Sequence, residues 1–307
     1  MRVNRHITAV VAIFLVSTAV VGWWGWLWAG GPANVGMADA RDLAAVDPGF
    51  SADTFRPFAF LHFGDPQIGR TETAEDQARF LEAIREANAL RPAFVVIAGD
   101  LTEAGGFAER IAFQRALKRL AVPVLIVPGN HDVFDSESRA YYHQNYGPDF
   151  YAITYNNCVF IGLNSELRPA QGPAGGAEGQ LRFLEATLAA AQAARRTHVF
   201  IIQHTPPFLV PEAERNVDAG PDGPYRRRLL ALARAYGVRT FLCGHTHTTW
   251  EIRAVDGAFT IYTASGTAEV REPDGRDACR YRLFRVGADR VEQTPVRLAA
   301  SSSRAAS

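Results

Sequence analysis

The sequence is short of the residues that most often announce a function. It has three cysteines, Cys158, Cys243 and Cys279. An odd number cannot pair completely, and no CxxC spacing occurs, so neither a disulfide framework nor a CxxC-built site is indicated. Cys158 and Cys243 lie in apolar runs, where a thiol packs as a small hydrophobe, and cysteine usage does not fix the compartment. Charge of either sign is not in excess: 32 basic residues balance 32 acidic ones. That argues against a basic surface for nucleic acid and against an acidic tail for a basic partner. Lys118 is the only lysine, and no function is read from that. There is no internal repeat, and neither a GxxxxGK[ST] loop nor a GxGxxG fingerprint is present.

What is present suits a globular core. The 307 residues are 48% hydrophobic and 21% charged, enough for one large α/β domain or two small ones. At the N-terminus, Arg2, Arg5 and His6 precede an uncharged apolar run from Ile7 to Trp28. As a helix it would be about 33 Å long, enough to cross a bilayer. Trp23, Trp24, Trp26 and Trp28 crowd its far end, as an interfacial belt does. Residues 1–29 are therefore expected to be a membrane anchor, or a signal peptide cleaved near Ala38-Asp39-Ala40; the length of the run favours the anchor. Both readings put the body outside the cytoplasm, in the periplasm or at the cell surface. Residues 30–56 read as a linker and 299–307 as a disordered tail.

Between them, apolar strand-like runs alternate with helical periodicity, and the runs end in polar clusters. Pro57–Phe63 ends in Gly64-Asp65-Pro66-Gln67, and Ala93–Ala98 in Gly99-Asp100. Val122–Pro128 ends in Gly129-Asn130-His131-Asp132. Further on, Val199–Gln203 ends in His204, and Thr240–Cys243 in Gly244-His245-Thr246-His247. Helical patterns at Thr73–Leu90 and Phe107–Leu120 separate the first three runs, the arrangement of a parallel sheet. Asn156-Asn157 is expected to turn a hairpin. The four β-like runs after Trp250 suggest a second sheet. Ligands of open α/β sheets sit at the carboxyl ends of strands. Two carboxylates, two amides and four imidazoles gathered there are ample for two metal ions, with Asp100 able to bridge them. The i, i+2 spacing of Asp65 with Gln67, and of His245 with His247, suits residues leaving a strand on one side.

The clusters, in this order, resemble the motif series of the calcineurin-like metallophosphoesterase superfamily: DxH, GD, GNH[DE], an isolated His, then GHxH. GNHD and GHTH carry the likeness; GD or one His alone would not. Gln67 stands where the first motif usually has His. A DPQ start like this one occurs in a branch that includes a serine/threonine phosphatase. The resemblance implies a four-layer α/β/β/α sandwich of two mixed sheets over residues 57–298. It implies one metal ion held by Asp65, Gln67, Asp100 and His247, and another by Asp100, Asn130, His204 and His245. The ions would be divalent or trivalent Mn, Fe or Zn, with hydroxide held between them. His131 would protonate the leaving oxygen or stabilise the transition state, oriented by Asp132. A neutral amide at Gln67 implies weaker binding there and a lean toward harder ions such as Mn or Mg. The activity implied is hydrolysis of a phosphomonoester, on a small molecule or a phosphoprotein. A phosphodiesterase of the same fold and a non-catalytic, membrane-tethered binding protein are the alternatives. Loops 164–179 and 205–224 are expected to rim the site. His62, His143 and His198 match no motif and are expected to pack or face solvent, while Arg168 and the Arg226–Arg228 run are weaker candidates for contact with phosphate.

Overall fold

The computed structural model describes residues 47, 49–50, 52–167, 176–210, 223–267 and 279–298. The expected N-terminal span, most of the linker, Arg168, parts of both rim loops and the tail lie outside the described residues. Among the described residues, no helix is long and apolar enough to cross a membrane.

Among the described residues, five helices and eleven strands follow one another. The first half holds β1 (Phe58–Phe63), α1 (Thr73–Leu90), β2 (Val95–Ala98), α2 (Phe107–Leu117), β3 (Val124–Val127), α3 (Ser136–Tyr146), β4 (Tyr151–Tyr155) and β5 (Cys158–Gly162). The second half holds α4 (Ala177–Ala193), β6 (His198–Ile202), α5 (Gly223–Ala235), β7 (Thr240–Cys243), β8 (Glu251–Arg253), β9 (Thr260–Thr263), β10 (Arg280–Val286) and β11 (Val291–Arg297). One sheet has the order β11-β10-β1-β2-β3, the other β4-β5-β6-β7-β9-β8. Both are mixed. β1, β2 and β3 run parallel and β10 pairs with β1 antiparallel, while β5, β6, β7 and β9 run parallel between antiparallel edges.

Strand alternation separates three apolar layers. Leu61, Phe63, Val95, Ile97, Val124 and Ile126 face α1, α2 and α3. Val159, Ile161, Ile201 and Phe241 face α4 and α5. Between the sheets, Phe60 stacks on Phe94 and on its cross-strand partner Phe284, with centroids 5.2 and 4.8 Å apart. Phe160 stacks on its own cross-strand partner Phe200 at 4.6 Å, and both meet Phe60 edge-on. Alternating stacked and edge-on contacts satisfy the ring quadrupoles on both sheets. This is the four-layer α/β/β/α sandwich expected.

Two details depart from expectation or refine it. The four C-terminal runs do not form one sheet. β8 and β9 extend the sheet of β4–β7, whereas β10 and β11 return to the sheet of β1. The reason is tertiary: Phe284 and Val286 on β10 complete the aromatic layer beside Phe60, a pairing with no local signal. The Asn156-Asn157 turn is as expected, with φ of 43° and 61°, the left-handed pair a tight hairpin requires.

Candidate metal centre

The carboxyl ends of β1, β2 and β3 in one sheet, and of β6 and β7 in the other, open at one edge of the sandwich. Asp65, Gln67, Asp100, His245 and His247 all carry positive φ, from 38° to 68°. Left-handed backbone at non-glycine residues costs about 1–2 kcal/mol each. Such strain, concentrated on polar residues, is a mark of functional sites. It also refines the expected geometry: the backbone of the i, i+2 pairs is left-handed where strand residues would be extended. They leave their strands and turn through left-handed residues. Close approach does the rest. A Cβ on Gly129 would lie 2.2 Å from Asp100 Oδ1, and one on Gly244 would lie 2.7 Å from Asp65 Oδ2. Each carboxylate nests where a side chain has been left out.

The donor atoms fall into two groups that share Asp100: Asp100, His204 and His245 in one, Asp65, Asp100 and His247 in the other, each within 4.8 Å. In the first group the His204 Nδ1–H donates to the Ala98 carbonyl at 2.8 Å, which turns Nε2 inward. Nε2 then lies 3.1 Å from Asp100 Oδ2, 3.1 Å from Asn130 Oδ1 and 3.2 Å from His245 Nδ1. Asn130 Oδ1 is also 3.0 Å from His245 Nδ1. Bonds of ~2.1 Å give octahedral edges of ~3.0 Å and tetrahedral edges of ~3.4 Å. The four separations, 3.0–3.2 Å, fit ligand atoms of one ion. A proton on Nε2 answers one neighbour at a time; a metal ion among them answers all four. The second group is looser: His247 Nε2 is 3.7 Å from Asp65 Oδ1. Gln67 is buried, but its Oε1 accepts from Arg70 Nη1 at 3.2 Å and its Nε2 has no partner. Turning the amide over would direct its oxygen the other way.

Charge in the site is poorly accommodated without cations. Burial, with the Asp100 carboxylate nearby, pushes Asp65 up to about 8, against the pull of His204. Burial would raise Asp100 too, but His204 and the His131 amide outweigh it and hold Asp100 below the usual range. Burial lowers His204, yet Asp100 and Asp65 reverse that and lift it to about 10. Burial lowers His245, and His204 adds to it. Burial, then the charge of Arg70, takes His247 down to about 4.

His131 stands beside the shared carboxylate. Its Nδ1–H donates to the Glu103 main-chain carbonyl at 2.5 Å, leaving Nε2 4.0 Å from Asp100 Oδ2. Asp132, expected to orient that ring, does something else. It accepts from the main-chain N–H of Leu101 at 3.0 Å and of Gly129 at 2.9 Å, tying the β2 and β3 loops together. Burial and Asp100 push it up to about 7. The reason for the difference is that a main-chain carbonyl reaches His131 first. No sequence signal marks a carbonyl, so Glu103 and Ala98 could not have been found. Arg70 could have been, as a cation on the loop of the first motif. The other candidates behave as expected. His143 pairs with Asp149 at 3.0 Å and His198 with the Gly287 carbonyl at 2.8 Å, and Arg228 makes a surface pair with Glu178. His62 is fully buried with both ring nitrogens unpartnered. The described parts of the two rim loops are joined: Thr205 N–H donates to Ser165 Oγ at 3.0 Å, and its hydroxyl to Glu166 Oε1 at 2.9 Å.

Comparison with known proteins places the chain in a family. The calcineurin-like phosphoesterase family profile matches residues 58–249. The serine/threonine-protein phosphatase CPPED1 of Danio rerio is 26% identical over 217 residues, 62% of this chain and 70% of that protein. The glycerophosphodiester phosphodiesterase GpdQ of Enterobacter lignolyticus is 32% identical over 216 residues, 66% of this chain and 68% of that protein. Among solved structures, a dimetal phosphatase from Danio rerio superposes with a TM-score of 0.55 at 18% identity, covering 80% of this chain and all of that one. The chain belongs to the calcineurin-like phosphoesterase family, and with it to the metal-dependent phosphoric ester hydrolases.

Proposed function

We propose that the protein is a phosphomonoesterase that works with two metal ions. Asp65, Asp100 and His247, with Gln67, would hold one; Asp100, Asn130, His204 and His245 would hold the other. The observation that carries this reading is the sharing of Asp100 by two donor groups, with His131 Nε2 facing the shared carboxylate. When bound, such a pair supplies Lewis acidity toward phosphoryl oxygens and a water acidified to near neutral pH. The rest falls to the chain. The Glu103 carbonyl holds the His131 Nδ1–H and the ring plane, so it is Nε2 that would take up a second proton and, from the imidazolium, give it to a leaving oxygen. The Ala98 carbonyl does the same for His204, freeing its Nε2 to bind.

The test is metal analysis of the purified full chain combined with p-nitrophenyl phosphate and bis-p-nitrophenyl phosphate as substrates. Two metals per chain and a higher kcat/KM for the monoester are expected. A higher value for the diester would favour a second reading, for which the likeness to a glycerophosphodiester phosphodiesterase speaks. Two metals per chain with neither ester hydrolysed would leave a binding protein on an enzyme's fold.

A further inference from the structure

We propose that Arg70 binds a non-bridging phosphoryl oxygen and sets the preference for a dianionic monoester over a monoanionic diester. The proposal rests on the phosphoesterase reading above, and on where the chain places this guanidinium. Arg70 Nη1 is 3.2 Å from Gln67 Oε1 and 3.8 Å from Glu103 Oε2. Under that reading Gln67 completes the Asp65 donor group, and the Glu103 main-chain carbonyl holds His131. The cation thus stands between one proposed metal position and the proposed acid. Its side chain is 40% exposed, so the head sits at the mouth of the site and not beneath it. Only Nη1 is engaged among the described residues. The remaining N–H groups are donors in a fixed fork, available to a phosphoryl oxygen.

The backbone on both sides of Arg70 is pinned. Asp76, fully buried in the first turn of α1, accepts from Gly69 N–H at 3.1 Å, Thr71 N–H at 3.0 Å and the Thr71 hydroxyl at 2.6 Å. Arg79 Nη1 holds that carboxylate at 2.8 Å, and Arg70 N–H itself donates to the Gln67 carbonyl at 3.1 Å. A side chain that only waved in solvent would need no such base. Donors held before substrate arrives are the ones that stabilise charge at no reorganisation cost.

Chemistry then sets the preference. A monoester dianion spreads two charges over three non-bridging oxygens. If the metal ions took two of them, the third would be left for Arg70. In a diester that third position is an ester group, which has neither the charge nor the room for a guanidinium. The same contact attracts one substrate and penalises the other.

The experiment uses the metal-loaded full chain as wild type, Arg70→Gln and Arg70→Lys. Three things are measured: metal content, the Kd of inorganic phosphate by calorimetry, and kcat/KM for the two chromogenic esters. Arg70→Gln is expected to keep two metals per chain and to raise the phosphate Kd about 10- to 100-fold, the range of one lost charge-assisted bond. Its kcat/KM should fall further for the monoester than for the diester by a factor of about ten or more. Arg70→Lys, which keeps the charge and loses the fork, should recover part of the phosphate affinity. Unchanged phosphate affinity in Arg70→Gln overturns the proposal. So does a loss of metal with equal losses on both esters, which would make Arg70 a prop for Gln67. If wild type binds phosphate through Arg70 yet hydrolyses neither ester, the assigned contact stands and the phosphomonoesterase reading falls.

Discussion

The two donor groups share Asp100 and differ in nearly everything else. Around His204, Nε2 lies 3.1–3.2 Å from donor atoms of Asp100, Asn130 and His245, and the imidazole is locked from behind by the Ala98 carbonyl. Around Asp65 the spacing opens to 3.7 Å, and Gln67 turns its oxygen to Arg70. The first group is preorganised, because its ring nitrogen can point nowhere else. The second must rearrange an amide, and it contains a carboxylate that burial has pushed up to about 8. Both groups must give up a proton, one from Asp65 and the other from His204, which its carboxylate neighbours lift to about 10; only the second group must turn a side chain as well, and that added cost makes its ion the weaker one. The difference teaches that one shared carboxylate does not make two equal sites.

Removing the shared residue should have the largest effect. Asp100→Ala is expected to cost both ions and activity by about a thousandfold or more, since each ion contributes several kcal/mol to the transition state; metal analysis beside the phosphatase assay checks it, and one retained ion would show that the groups are independent. Next comes His131→Ala. It should lower kcat about 10²- to 10⁴-fold with both ions retained, because the ring acts on substrate and not on metal. Loss of metal in that variant would place His131 inside one of the groups. A graded chelator titration addresses the asymmetry itself. The ion of the Asp65 group should leave first, and Gln67→His, which removes the amide that Arg70 engages, should delay its loss by about tenfold in chelator. Simultaneous departure would erase the comparison.

The smallest effect lies under the site. Burial, with the charge of Arg282, lowers His62 from 6.5 to about 3. The unfolded chain therefore binds a proton between these values that the folded chain does not. Stability from this group is full above about pH 6.5 and is lost as pH falls toward 3, about 2 kcal/mol of it by pH 5. In a denaturant series at pH 7.5 and pH 5, His62→Leu should flatten that slope. Whatever pH dependence survives then belongs to the two donor groups, and an unchanged slope would mean that His62 takes up its proton when folded.

Much of this was legible in one dimension. Strand runs ending in Asp65, Asp100, Asn130, His204 and His245 are local patterns of apolar period and abrupt polarity, and their order carried the family likeness. The helix at Thr73–Leu90 and the Asn156-Asn157 hairpin follow from periodicity and from the tolerance of Asn for left-handed backbone. Other features had no local signal. β10 and β11 cross to the first sheet because Phe284 fits beside Phe60, a contact between residues far apart in the chain. Asp132 ties two loops instead of orienting His131 because the Glu103 carbonyl lies nearer the ring.

Sequence by itself determined which chemistry this chain can attempt, since the kinds of ligand atom and their order along the strands are written in side chains. Tertiary structure alone decided that the two groups around the shared Asp100 are unequal and which cation overlooks them. Those outcomes depend on main-chain carbonyls, left-handed turns and the space left by Gly129 and Gly244, where backbone packing and not residue type sets the distance.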